Sequence, residues 1–165
     1  MTLSRTQTEP SEQCLWVDAG PVNAEELDEE EIEWFESLLR RASNLTSDVD
    51  SSHYIRDALA GHCALWSIDT EDGVRVGAMT TRVVQFETGY TVLTIQLCAV
   101  EPGLPRIPNE CIESILKRIE RSAALIGCDA VRIPGRPGKD WGEVASGYVE
   151  VERTFDKVLR GGSDG

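Results

Sequence analysis

Residues 90–126, YTVLTIQLCAVEPGLPRIPNECIESILKRIERSAALI, decide the fold. The first eleven are apolar almost throughout, which marks an interior strand rather than one with a wet face. A proline-rich connection, residues 101–108, then leads into a helix expected over residues 109–126. Ile112, Ile115, Leu116, Ile119, Ala123 and Ile126 recur there at helical spacing. Lys117, Arg118, Glu120 and Arg121 fall mainly on the other side, and Gly127 stops the helix.

Working back from this stretch, residues 62–69 (HCALWSID) and 74–87 (VRVGAMTTRVVQFE) read as two further strands. The turn 70–73 joins them, and Thr88-Gly89 joins the second to residues 90–100, giving an antiparallel meander. Gly77 marks a bulge or a close approach inside the long middle strand. Further upstream, residues 13–17 (QCLWV) suggest a short strand ended by Asp18, Gly20 and Pro21. Asn23 then caps a helix, with Glu26 completing a capping-box pattern. Leu27, Ile32, Phe35, Leu38, Leu39 and Ala42 lie near one face of that helix, which runs to about Arg41. A polar loop over residues 44–52 precedes a shorter helix over 52–60, closed by Gly61. Downstream, residues 130–134 (AVRIP) form a strand, 138–147 hold a short helix, and 148–159 form a final strand. Residues 1–11 are read as a flexible arm, 12–159 as one domain and 160–165 as a mobile tail.

The 165 residues carry 16 Lys and Arg against 29 Asp and Glu, a net charge of −13. Nucleic acids and anionic membranes are recognised by clustered cations, so both are excluded as direct partners. The acidity is concentrated in residues 1–60, at a net −10. Five cysteines at wide spacing, with no Cys/His ligand cluster, argue against a metal site and for a reducing compartment. Cys63 and Cys98 lie in apolar runs and are expected to act as small hydrophobes. No run approaches a membrane span, and the polar first ten residues lack the apolar core of a secretory signal.

The order strand, helix, helix, three antiparallel strands, helix, strand, helix, strand resembles that of the GNAT acetyltransferases. Residues 126–136 (IGCDAVRIPGR) resemble the family's helix-to-strand step. Residues 135–159 resemble its closing passage, with Gly147-Tyr148 where the family has Gly followed by an aromatic residue. The phrase GCDAVRIPGRPG…W…GY is similar to GNAT-like proteins of short-tailed bacteriophages, the internal virion protein A group among them. The resemblance implies an α/β (α+β) fold with a mixed, mainly antiparallel sheet flanked by helices.

In working members of the family, the loop after the fourth strand reads about Gln/Arg-x-x-Gly-x-Gly/Ala. Its amides, with the next helix N-terminus, hold the cofactor diphosphate. The matching stretch here is residues 101–110, EPGLPRIPNE. Pro102, Pro105 and Pro108 have no N–H to offer, and Glu101 adds negative charge. Gly103 alone permits close approach, and Arg106 is the sole nearby cation. The reading is therefore of a degenerate loop, with no cofactor and no acetyl-CoA bound.

No catalytic residue is assigned. Residues 90–100 offer only Gln96 where such enzymes place a Glu, and an amide takes no proton at neutral pH. Glu87 reads as a solvated turn residue and Tyr148 as a packing aromatic. His53, ahead of a helix, and His62, opening a strand, have no triad partners at suggestive spacing. Candidate contact residues are Glu29, Glu30 and Glu31 on the first helix, with Arg136 and Trp141 in the second half. Arg132 and Lys139 add to the basic group around Arg136.

These readings point to a non-catalytic virion-associated or assembly protein that contacts other phage structural proteins. It would pass from host cytoplasm into the virion, with a homo-oligomer left open. One alternative is an active N-acetyltransferase with an atypical acetyl-CoA loop. The other is an acidic inhibitor of a basic host protein.

Overall fold

Four antiparallel strands and one parallel strand build a single sheet in the order β1-β2-β3-β4-β5. The computed structural model describes residues 14–43 and 51–133. The arm, the polar loop, the closing helix and strand, and the tail expected elsewhere lie outside the described residues. The strands are β1 (Val17–Val22), β2 (Ala64–Thr70), β3 (Arg75–Gln85), β4 (Thr91–Val100) and β5 (Ala130–Arg132). The helices are α1 (Glu29–Ser43), α2 (Ser51–Leu59) and α3 (Asn109–Leu125). The mixed, mainly antiparallel sheet flanked by helices is the architecture expected from the sequence.

Each helix covers the face its apolar stripe dictates. Cys111, Ile115, Leu116, Ile119 and Ala123 of α3 pack on Trp66, Ile68, Met79, Leu93 and Ile95. On the other face, Phe35, Leu38 and Leu39 of α1 and Tyr54 and Ile55 of α2 pack on Leu65, Ala78 and Leu97. Trp66 buries its ring with α3 and donates its indole N–H to Thr81 Oγ1 at 3.1 Å, so burial leaves no orphaned donor there.

Three local expectations are corrected. The first strand begins at Val17, where the sequence reading ended it, and runs through Gly20 and Pro21. It is the outer strand of the described sheet and needs donors on one side only, which is why proline is tolerated. Asn23 caps a 3-10 turn, Ala24–Glu26, by accepting from the Glu25 amide at 3.1 Å. The capping box belongs to the next turn: Asp28 Oδ1 accepts from Glu31 N at 2.8 Å, and Glu31 Oε1 accepts from Asp28 N at 3.0 Å. The helix consequently starts at Glu29, and Leu27 packs on the core from outside it. Finally, Cys98 is exposed, and the buried cysteine is Cys111.

A bulge interrupts the alternation of β4 ahead of Cys98. Thr81 pairs with Ile95 and Thr80 with Leu97, leaving Gln96 as an extra residue in β4. Strict alternation would send positions 93, 95 and 97 to one face. Instead Leu93 and Ile95 join the α3 side, and Leu97 joins the α1–α2 side. Cys98, opposite Met79, then lies on the same face as Leu93 and Ile95, and its exposure has no account in the bulge. The close approach expected at Gly77 is present: a Cβ there would lie 2.8 Å from the Ala99 carbonyl oxygen.

Candidate functional site

The β4–α3 connection, residues 101–108, is the site the sequence singles out. Its first residue leaves the sheet still bonded to β3, since Glu101 N donates to Val76 O at 2.8 Å. The Glu101 carboxylate is turned toward α1, where Trp34 Nε1 donates to Oε1 at 2.8 Å and Arg41 lies 3.9 Å from Oε2. Trp34 and Arg41 are two helical turns apart and so share a face. Sequence reasoning missed Trp34 because a half-buried indole on an amphipathic helix looks like ordinary packing.

Gly103 adopts a φ of +80°, which makes the turn that follows. Leu104 and Ile107 then insert against the α3-side core, and Pro108 is buried directly ahead of α3. Pro102, Pro105 and Arg106 are exposed. The chain ahead of β1 runs alongside: Cys14 and Arg106 form a parallel bridge, and Leu15 N donates to Arg106 O at 2.9 Å. Val17 N points to the buried Cys111 Sγ at 3.4 Å, tying β1 to the first turn of α3. No side chain caps that turn.

The fold-implied cofactor can be tested on this geometry. A diphosphate grip requires several converging N–H groups and positive potential. Three of the eight connecting residues are prolines with no N–H, and the Glu101 N–H is already given to Val76 O. Beside the first turn of α3 lies a cleft of about 300 Å3, bordered by Asp18, Asp69, Glu71 and Glu110. Asp18 is paired with Arg118, and Asp69, Glu71 and Glu110 leave that wall negative, the wrong sign for phosphate. Arg106 is exposed and makes no ion pair among the described residues, and a lone guanidinium does not offset them. The residues present do not fit an acetyl-CoA diphosphate.

General-base chemistry fares no better. Gln96 Oε1 and Thr80 Oγ1 are both shielded from solvent with no hydrogen-bond partner among the described residues. Gln96 is the bulged residue and Thr80 borders it on β3, beyond the three-residue pairing of Val92–Thr94 with β5. Neither side chain takes a proton at neutral pH. Glu87 is exposed beside the β3–β4 turn, as expected, and His62 is exposed in the turn ahead of β2 rather than opening the strand. The His53 side chain, Tyr148, Arg136, Lys139 and Trp141 fall outside what is described. Burial, and next the Asp57 carboxylate, push the Cys63 thiol up to about 11 against a smaller opposing pull from Arg82. It is no nucleophile at neutral pH. No metal-holding group of His, Cys, Asp or Glu occurs among the described residues.

Of the acidic contact candidates, Glu29 and Glu30 are exposed. Glu31 is committed elsewhere: it closes the capping box and pairs with Arg75 at 3.1 Å, whose guanidinium lies 4.8 Å over the Phe35 ring. The structure therefore separates Glu31 from its two neighbours. Arg132, from the basic group, lies 5.5 Å over the Phe86 ring.

No family model and no curated protein matches this sequence. Solved structures do. An aminoglycoside N-acetyltransferase, AAC(6')-Iy, in complex with CoA is 17% identical, with a TM-score of 0.60 over 93% of this chain and 99% of that one. The same enzyme bound to a bisubstrate analogue, CoA-S-monomethyl-acetylneamine, gives a TM-score of 0.62 at 16% identity, covering 87% of this chain and 98% of that one. A ribosomal-protein-alanine N-acetyltransferase from Brucella melitensis biovar Abortus 2308 gives 0.58 at 14% identity, covering 87% and 98%. The chain has a GNAT-like fold. At such identities the likeness speaks for the fold alone.

Proposed function

We propose that this protein uses the GNAT-like fold as a scaffold for protein contacts rather than for acetyl transfer, as a bacteriophage virion-associated or assembly component. The observation that carries the reading is the β4–α3 connection. Its prolines withhold the amides a diphosphate needs, its apolar side chains are anchored in the core, and the neighbouring cleft is acidic. The proposed partners are other phage structural proteins, met first in the host cytoplasm and then in the particle. The outward Glu29 and Glu30, and the net charge of −13, suit a chain that stays soluble before it is assembled. Titration with acetyl-CoA by calorimetry tests the negative half, and the expected result is no heat and no thermal shift at millimolar cofactor. Mass spectrometry of purified particles tests the positive half. Absence from virions and from assembly intermediates would sink it.

A second reading, an active N-acetyltransferase with an atypical cofactor loop, is favoured by the near-complete overlap with a CoA-bound enzyme. Saturable acetyl-CoA binding in the same titration would replace the first reading with this one.

A further inference from the structure

We propose that the outer edge of β1 is sealed against strand addition by a second copy of this chain, and that Asp18 holds the seal closed. The inference concerns the route to a homo-oligomer and does not rest on the proposed function. A strand at the edge of a sheet offers alternate backbone donors and acceptors, on which another chain can pair. In β1 the outward positions can be read from the register. Thr70 N donates to Val74 O, away from its partner Val17, so Val17 likewise turns its amide away from β2. Ala19 and Pro21 share that direction, two and four residues on.

Each of the three is closed. Val17 N points to Cys111 Sγ at 3.4 Å, and Ala19 N donates to Asp18 Oδ1 at 2.9 Å. Pro21 has no N–H at all. Among the described residues of β1, no outward amide is left over. An incoming strand would shield its own carbonyls opposite these positions and find no donor for them, which is costly. The closures differ in origin. That of Pro21 is covalent, and Cys111 is buried in the first turn of α3. Asp18 is exposed and is held by Arg118 of α3, whose Nε donates to Oδ1 at 2.8 Å while Nη2 pairs with Oδ2. Both side chains are about half exposed, where an ion pair contributes little to stability. Its effect is geometric instead: a two-point grip fixes the carboxylate beside the Ala19 amide.

Two measurements test this. In Asp18→Ala the freed Ala19 amide should exchange its hydrogen roughly tenfold faster, while amides of β3 keep their parent rates. An unchanged Ala19 rate would overturn the proposal. Asp18→Ala combined with Pro21→Ala opens the edge at two positions. Sedimentation over a concentration series should then show self-association roughly tenfold tighter than the parent, with residues 17–22 protected in the associated form. Glu30→Ala, which removes the same charge from an exposed site on α1, should sediment as the parent does. A folded double variant that matches the parent at every concentration refutes the seal, and so does association that leaves the β1 amides unprotected. If the double variant does not fold, Arg118→Ala serves instead, because it leaves the β1 sequence intact. Ala19 exchange should rise several-fold there, and the parent rate would count against Asp18 as the residue held in place.

Discussion

Replacing Gly77 by alanine is expected to lower stability and to disturb the candidate site at the same time. A Cβ at this position would stand 2.8 Å from the Ala99 carbonyl oxygen, 3.0 Å from Val100 Cγ1 and 3.1 Å from Ile68 Cβ. The nearest of these is backbone in an interior strand, so no side-chain rotation relieves it. Overpacking of this kind costs about 1–3 kcal/mol. For a domain of this size that corresponds to a melting temperature roughly 2–12 °C lower. The displacement also reaches residues 101–108, because Gly77 pairs with Val100 and the neighbouring Val76 O holds the Glu101 amide. Thermal denaturation followed by circular dichroism measures the first effect. Trp34 fluorescence follows the second, since its indole N–H is bonded to Glu101. Gly20→Ala is the control: nothing lies within 4 Å of its Cβ, and it should be neutral or up to about 1 kcal/mol more stable. If Gly77→Ala melts with the parent protein, the argument for close strand approach is wrong.

Three further outcomes are expected. Thr81→Val should cost about 1–3 kcal/mol in urea denaturation, because the buried Trp66 indole N–H loses its acceptor while the volume is kept. Asp28→Ala should cost about 1 kcal/mol by the same measurement, the usual loss for an N-cap, and Glu31→Ala added to it should cost only the surface pair with Arg75, about 0–1 kcal/mol, because the box is already broken. Cys63 should resist iodoacetamide at pH 8, where the exposed Cys14 reacts, and should gain reactivity only toward pH 11. Since its folded value is raised, its contribution to stability is complete below about pH 9 and falls as pH climbs through about 11.

The comparison with solved enzymes speaks for the scaffold alone. The fold is that of proteins crystallised with CoA, yet the segment that would meet the diphosphate is built from prolines, anchored apolar side chains and neighbouring acids. The connection is also part of the scaffold, because Leu104 and Ile107 pack on the cluster that contains Ile119.

Periodicity alone determined the helices and the β2–β4 meander, since both follow from local spacing of apolar residues and from the turn glycines Gly73 and Gly89. The missing donors of the β4–α3 connection were equally plain, proline being a covalent fact. Tertiary structure decided what spacing cannot express. Pro21 became strand because β1 lies at an outer edge, and Asp28 rather than Asn23 capped α1 because the core drew Leu27 inward from outside the helix. Gln96 became a bulge, which sent Leu97 to the α1–α2 face, and the Gln96 and Thr80 side-chain oxygens beside it are shielded without partners. The bonds of Trp34 to Glu101 and of Leu15 to Arg106 join residues 67 and 91 positions apart. Contacts over such distances depend on how the strands and helices pack, and no local pattern in the chain encodes them.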